Sequence, residues 1–324
     1  MVYPRSLQQS LYVMLLLYLI LFPDNLIAAQ EDKEQKQTNK SIIDKTHHGI
    51  SVRLIAASQW FDNFFNDPRV DEEPAGTLLR LRGSATRTEG EGMSYKGRVK
   101  ARLELPNLKN RYHLIFSSED DDLKIPTKES TEAVNRVNNR QEEQTSLALQ
   151  YTKRILDNFV FSHRLSIRID KGLNPRLRTR ARYIQPVTEK SLMSLTQSLF
   201  WEYEDGFGQE NRIDFDYFIE NNFLMRSTAT GLYSEVSSGY EWLGMQQALF
   251  SFSDKRAITF GAYVRGETQP DNYLTEYVLF TEYRQNILKK WLFYEILPEI
   301  KWPREEKFSS VFAITATLEI RFGR

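Results

Sequence analysis

Four arginines stand at two-residue intervals at Arg176, Arg178, Arg180 and Arg182, and four more cations do so at Lys96, Arg98, Lys100 and Arg102. A guanidinium is planar, permanently charged and offers its N–H donors as a fork, so a row of them can hold and orient anions. Arg80 with Arg82, and Arg164 with Arg168, extend the basic set. Acidic residues recur in the same manner further along: Glu202 and Glu204, then Asp214, Asp216 and Glu220, then Glu276, Glu282, Glu295 and Glu299. Two-residue spacing puts successive charges on one face only where the backbone is a β-strand. The chemistry therefore asks for strands, with the basic ones early in the chain and the acidic ones late.

Groups suited to covalent chemistry are sparse. The chain has no cysteine, which excludes disulfides, thiolate metal sites and cysteine nucleophiles, and it has four histidines. His47 and His48 lie in a polar stretch, and His113 falls among inward positions. His163 falls on an outward, lipid-facing set, while Ser162 and Ser166 have the opposite parity. A hydroxyl activated by His163 would have to come from a neighbouring strand, with Thr179 as the candidate; such a pair on a lipid-facing wall would be that of a lipid hydrolase. The run Glu119-Asp120-Asp121-Asp122 could bind Ca²⁺ or Mg²⁺ bridging lipopolysaccharide, or could simply be a solvated acidic turn. Neither a glycine-rich phosphate loop nor a His/Asp metal spacing is present, so no cofactor, metal site or catalytic residue is expected. With 43 basic and 43 acidic residues the formal charge is zero, and nothing in the bulk balance points to nucleic acid.

The elements that must carry these rows divide the chain into four parts. Residues 1–29 read as a cleaved signal peptide: Arg5, an apolar run from Leu11 to Phe22, and Ile-Ala-Ala before Gln30. Twelve apolar residues followed by Pro23 fall short of the roughly 20 that a spanning helix needs. Residues 30–46 form a polar linker, and 47–75 an amphipathic helix with Ile50, Leu54, Phe61 and Phe65 near one face. That helix could plug a barrel mouth, lie on a membrane surface or pack beneath the barrel floor. From residue 76 to 324 the period is two. Fourteen strands are predicted, from 77–89 to 310–322, within a range of twelve to sixteen. Brief connections such as 156–158, 221–222 and 253–255 alternate with longer ones, of which 120–144 is the longest. The fold class is thus all-β: a transmembrane, antiparallel, up-and-down β-barrel of about 14 strands with a short N-terminal periplasmic helix. An even strand number suits a bacterial barrel with both termini in the periplasm. Trp201, Tyr203, Tyr240, Trp242, Tyr273 and Trp302 would form an outer aromatic girdle, and Tyr151, Phe159, Phe223, Trp291 and Phe322 a periplasmic one.

The final strand resembles the C-terminal signal by which outer-membrane barrels are recognised for insertion, on Thr315, Ile320 and Phe322. It departs from that pattern at Thr317, where glycine is usual, and in carrying Gly323 and Arg324 after the aromatic. Over residues 76 to 324 the chain resembles Gram-negative outer-membrane β-barrel proteins. The segments Trp60 to Pro68, Leu78 to Arg82 and Glu119 to Asp122 resemble a group of uncharacterised proteobacterial proteins, which implies architecture and no activity. The resemblance implies outer-membrane lipid, lipopolysaccharide and the barrel-assembly machinery as partners. Two functions stay open beside the hydrolase. One is a porin-like diffusion channel, its basic wall facing an acidic one across the lumen. The other is a non-conducting barrel that binds a partner, its two walls closed by ion pairs.

Overall fold

The computed structural model describes residues 42–65, 77–105, 112–118, 145–156, 158–169, 172–237, 239–269 and 271–323, with the side chains of the helix described from Arg53 onward. The chain divides into two compact units, Met1–Lys45 and Thr46–Arg324, and all that follows concerns the second. The expected signal peptide, the linker up to residue 41, the turn 106–110, the long connection 120–144 and its acidic run lie outside the described residues.

Helix α1 (Ile42–Phe65) precedes fourteen strands. The first seven are β1 (Leu78–Thr88), β2 (Gly92–Glu104), β3 (Tyr112–Ser117), β4 (Thr145–Leu156), β5 (Phe159–Ile169), β6 (Leu173–Thr188) and β7 (Ser191–Glu202). They continue as β8 (Gly206–Glu220), β9 (Phe223–Ser234), β10 (Tyr240–Ser253), β11 (Arg256–Glu267), β12 (Tyr273–Asn286), β13 (Leu292–Pro303) and β14 (Val311–Gly323). Each strand pairs antiparallel with its neighbours in sequence, and β14 pairs with β1 to close the barrel. Closure leaves no edge strand, so ladder hydrogen bonding is continuous around the circumference. The closing register sets Leu81 opposite Ile320, Arg82 opposite Glu319 and Ala85 opposite Ala316.

Burial follows the sequence alternation with the usual polarity reversed. In β14, Phe312, Ile314 and Leu318 are 46%, 38% and 48% exposed, while Ala313, Thr315 and Glu319 between them are at most 1% exposed. Leu149, Leu165, Leu177 and Leu279 also face outward and are exposed. The outer surface thus carries an apolar belt far larger than the patches a soluble monomer exposes. Strands of about twelve residues, rising about 3.3 Å each and tilted by about 40°, give a wall about 30 Å high. That is enough for the apolar band of about 25 Å that lipid contact requires. Aromatic pairs stand at both rims: Tyr233 with Tyr240 (5.3 Å) and Tyr277 with Trp302 (6.2 Å) at one end, Tyr112 with Tyr151 (5.0 Å) and Trp291 with Phe322 (5.8 Å) at the other.

Turns fit their sequences. Asn221 and Asn222 alone link β8 to β9, and Gly90 and Gly92 adopt φ of 80° and 94° in the tight link from β1 to β2, where a Cβ would be strained. Connections are brief at both ends, so their lengths separate the two ends chiefly through the stretch 118–144. Register shifts occur at 154/156, 186/188, 218/220 and 251/253, at the end where β4, β6, β8 and β10 finish, and one more at 265/266 at the opposite end. Such bulges concentrate at barrel rims, where they bend the wall and re-aim side chains.

A guanidinium in the middle of the belt should be far costlier than one at its rim. In phospholipid vesicles Leu165→Arg is expected to lower unfolding stability by about 2–4 kcal/mol, and Ile169→Arg, at the end of the same strand, by less than about 1 kcal/mol. Equal losses in urea titrations would mean that the belt does not face lipid.

Candidate functional site

All the basic residues singled out by spacing point into the barrel. Lys100, Arg102, Arg164, Arg168, Arg176, Arg178 and Arg182 are buried, while Arg80, Arg82, Lys96, Arg98 and Arg180 are half-buried on the same inward faces. Among the described residues, Glu104 at the last position of β2 is the only acid on the inward faces of β1 to β6. β3 and β4 contribute neutral groups there, His113, Ser146 and Gln150. Arg164 donates through Nε and Nη2 to Gln150 Oε1 (2.9 and 2.5 Å), and Arg182 donates to Ser194 Oγ (3.2 Å). Carboxylates meet this sector at its two borders. On one side Glu202 pairs with Arg176 (2.6 Å) and Arg168 (3.7 Å), and Glu210 with Arg180 (3.7 Å). On the other side Arg82 reaches Glu295 (3.3 Å) and Glu319 (3.4 Å), and Arg80 reaches Glu319 (3.9 Å).

The expected acidic wall differs in two ways. Glu202, Asp214, Asp216, Glu276, Glu295 and Glu299 are buried on inward faces, and Glu282 is half-buried there. Glu204, however, lies past the end of β7 with its side chain 55% exposed, where it still reaches Arg168 (3.4 Å). Glu220 is exposed at the end of β8, because the register shift between Phe218 and Glu220 turns it out of the inward row. The larger correction is that this half of the lumen is of mixed sign. Arg212, Arg226, Arg265, Arg284, Lys301 and Arg321 share its inward faces and neutralise its acids. Arg226 donates bidentately to Asp216 (2.7 and 2.9 Å), Arg265 pairs with Glu276 (2.8 Å), and Arg284 bridges Glu295 (2.6 Å) and Glu319 (2.8 Å). Parity alone could have found them, since Arg212 stands in one row with Glu210, Asp214 and Asp216. Glu319 was missed in the same way: four guanidinium groups, of Arg80, Arg82, Arg284 and Arg321, surround its carboxylate.

Helix α1 enters the barrel end where Leu78, Phe223 and Phe293 lie. Phe61 packs among Leu192, Phe218, Leu224 and Leu249, and Phe64 against Ala257 and Phe293. Trp60 stacks on Phe64 (4.9 Å, 19°). Burying two phenylalanines contributes on the order of 3–6 kcal/mol. Polar contacts fix the seat: Asp62 pairs with Arg226 (2.9 Å), Ser58 Oγ donates to Asp216 Oδ2 (2.6 Å), and the Asn63 carbonyl accepts from Arg321 (3.2 Å). Of the three placements left open by the sequence, the described helix residues occupy the barrel mouth.

Of the groups considered for hydrolysis, the serines are set apart from the imidazole, and the cross-strand pair of His163 and Thr179 is brought together. Ser162 and Ser166 are buried inside, whereas His163 faces outward and its Nδ1 lies 2.9 Å from Thr179 Oγ1 between Phe161 and Tyr151. Among the described residues no cluster of three metal-ligating side chains exists. Of the insertion-signal residues, Thr315 is buried and bonded to Thr86 (2.8 Å), Ile320 packs outward opposite Leu81, and Phe322 stacks on Trp291 at the rim.

No protein-family profile matches the chain, and no curated protein matches it. Solved structures of low identity do. They include a loop deletion mutant of OmpT, an outer membrane protein of Vibrio cholerae (10% identity, 76% of this chain and 98% of that one, TM-score 0.45). The outer membrane channel DcaP of Acinetobacter baumannii aligns at 7% identity over 76% and 96% of the two chains, with a TM-score of 0.44. Pseudomonas aeruginosa OccK10 (OpdN) aligns at 8% identity over 78% and 99%, with a TM-score of 0.45.

Removing the central carboxylate leaves the buried Arg284 facing the half-buried Arg80, Arg82 and Arg321. Glu319→Gln is expected to cost about 3–5 kcal/mol in urea unfolding. The exposed Glu204→Gln should stay within about 0.5 kcal/mol of the parent. A Glu319→Gln barrel as stable as the parent would show that the cluster is held by packing instead.

Proposed function

We propose that the chain is a porin-like channel of the bacterial outer membrane, anion-preferring and closed at its periplasmic end by α1. The observation that carries this reading is the one-signed row of arginines and lysines on the inward faces of β1, β2, β5 and β6. A positive wall lining an aqueous lumen with low-dielectric sides concentrates anions and rejects cations. A fourteen-stranded wall is about 28 Å across between backbones if circular, wider than the eight-stranded size that side chains fill. The helix seat gives the closure, and the belt and aromatic rims give the membrane setting. The C-terminal pattern and the helix-side entry of the chain support a periplasmic placement of that end.

A second reading, a non-conducting barrel that binds a partner, is favoured by one observation: Arg284, Arg226 and Glu202 are at most 2% exposed, as in a filled interior.

Planar-bilayer recording separates the two. The full chain should show rare, brief openings, and a chain lacking residues 30–65 should show long-lived anion-selective steps. Silence from both, on barrels whose gel mobility shifts on heating, would leave the non-conducting reading in place. In the open form, replacing Arg178 and Arg180 with serine should lower anion preference severalfold, while Arg180→Lys should keep it. Unchanged selectivity in the serine variant would remove the basic wall from the function.

A further inference from the structure

His113, the second residue of β3, points into the lumen within the basic sector and is 2% exposed. Neither of its ring nitrogens has a hydrogen-bond partner among the described residues. An imidazole carries at least one N–H donor in either charge state, and leaving its nitrogens unmet away from water is costly. The antiparallel register sets Glu104 of β2 directly opposite it on one side and Gln150 of β4 on the other. Gln150 is already committed. Its Oε1 accepts from Nε and Nη2 of Arg164 (2.9 and 2.5 Å), and its Nε2 donates to Thr152 Oγ1 (2.9 Å). Residues directly opposite across a ladder have Cβ atoms about 5 Å apart, yet the imidazole makes no bond to Glu104.

Cations converge on this pair. Arg102, 4% exposed, is the inward residue next to Glu104 along β2. The two bonds from Arg164 to Gln150 draw that buried guanidinium across β4 towards β3. Ile115 and Ala148, the next inward residues on β3 and β4, are buried and apolar, so charges here act through a medium of low dielectric. Two guanidinium groups, an imidazole donor and a single carboxylate thus surround one spot near the barrel mouth. The contacts that seat α1 fall instead on β7 to β11, β13 and β14.

We propose that His113, Glu104, Arg102 and Arg164 form an anion site that takes a phosphate group retaining one proton and rejects sulfate. The guanidinium groups and the imidazole N–H supply donors to the phosphoryl oxygens. The Glu104 carboxylate accepts hydrogen bonds and donates none, so it meets an anion without hydrogen as an unrelieved like charge. A singly protonated phosphate brings a P–OH that donates to that carboxylate; sulfate has none to bring. Phosphate groups keep one proton below a second pKa of about 6 and lose it gradually above. A site built around a ligand hydroxyl rejects the analogue that lacks it, because its own buried polar groups are then left unpaired. Inorganic phosphate and phosphate monoesters share this chemistry, and diesters, which carry no P–OH, do not. The inference rests on the reading of the basic wall as an anion path and gives that path its class of solute.

Isothermal titration of the full chain, refolded in detergent and checked by its heat-dependent gel shift, tests this at about pH 6. The probes are inorganic phosphate, glycerol phosphate, dimethyl phosphate and sulfate. Inorganic phosphate, the monoester or both should bind about tenfold or more tighter than sulfate and the diester, and which of the two binds identifies the source. In Glu104→Gln the gap between phosphate and sulfate should close to about threefold, because a carboxamide donates to either anion. His113→Ala should weaken phosphate about tenfold or more, and His163→Ala, on the outer face, should leave it unchanged. Equal affinity for phosphate and sulfate in the parent, binding of none of the four probes, or a folded Glu104→Gln barrel that still rejects sulfate would overturn the proposal. Bilayer recording keeps its failure apart from that of the channel reading. A barrel that binds phosphate but carries no current retains the site and loses the channel, and an anion-selective channel indifferent between phosphate and sulfate does the reverse.

Discussion

A charge that faces the inside of a closed barrel cannot be solvated by turning outward, since the outer side of the same wall is apolar. An inward cation must therefore find a carboxylate, amide or hydroxyl on a neighbouring strand or across the lumen. This constraint organises the interior. The acids at Glu202 and Glu210 flank one edge of the basic sector, Glu295 and Glu319 flank the other, and other acids are matched locally: Asp214 by Arg212, Asp216 by Arg226, Glu276 by Arg265 and Glu299 by Lys301. Pairing is dense where both signs are supplied by adjacent strands. It thins across β1 to β6, whose inward faces offer amides and hydroxyls in place of carboxylates.

The helix obeys the same rule. Its aromatic face alone would give a greasy stopper able to rotate or slide. Asp62 and Ser58 tie it to the Arg226–Asp216 pair, which fixes its rotation about its own axis. The mouth residues it covers, Leu192, Phe218, Leu224 and Leu249, are apolar and inward-facing, as are Ala257 and Phe293 beside them. An apolar ring inside a charged tube is the complement of the helix, and each accounts for the presence of the other.

Alternation made the strands, their number and their inward faces legible, because a period of two in side-chain polarity has one structural meaning over this many repeats. Phe312 to Phe322 could be assigned residue by residue. Reading charge by runs was less successful than reading it by parity. Isolated cations such as Arg226 in Met225-Arg226-Ser227, or Arg284 beside Tyr283, carry no run and were passed over, although they stand on the same face as their acids. Glu220 was misplaced because a one-residue bulge leaves no mark in the spacing. The seat of α1 was illegible for a different reason: an aromatic helix face fits a membrane surface as well as a barrel mouth. The inward ring that decides the matter is spread over four strands.

The cluster around Glu319 bears on how the barrel comes to be complete. β1 carries Arg80 and Arg82, yet the carboxylate that reaches both sits on β14, the last strand of the chain. Until β14 docks, the first strand lacks the one carboxylate that both of its arginines share, so an unfinished sheet is electrostatically penalised at its free edge. The last strand thus supplies a counter-ion as well as a missing ladder. Premature sealing of a shorter ring, β1 against β12 or β13, would seal without it. The cylinder has a built-in measure of its own circumference.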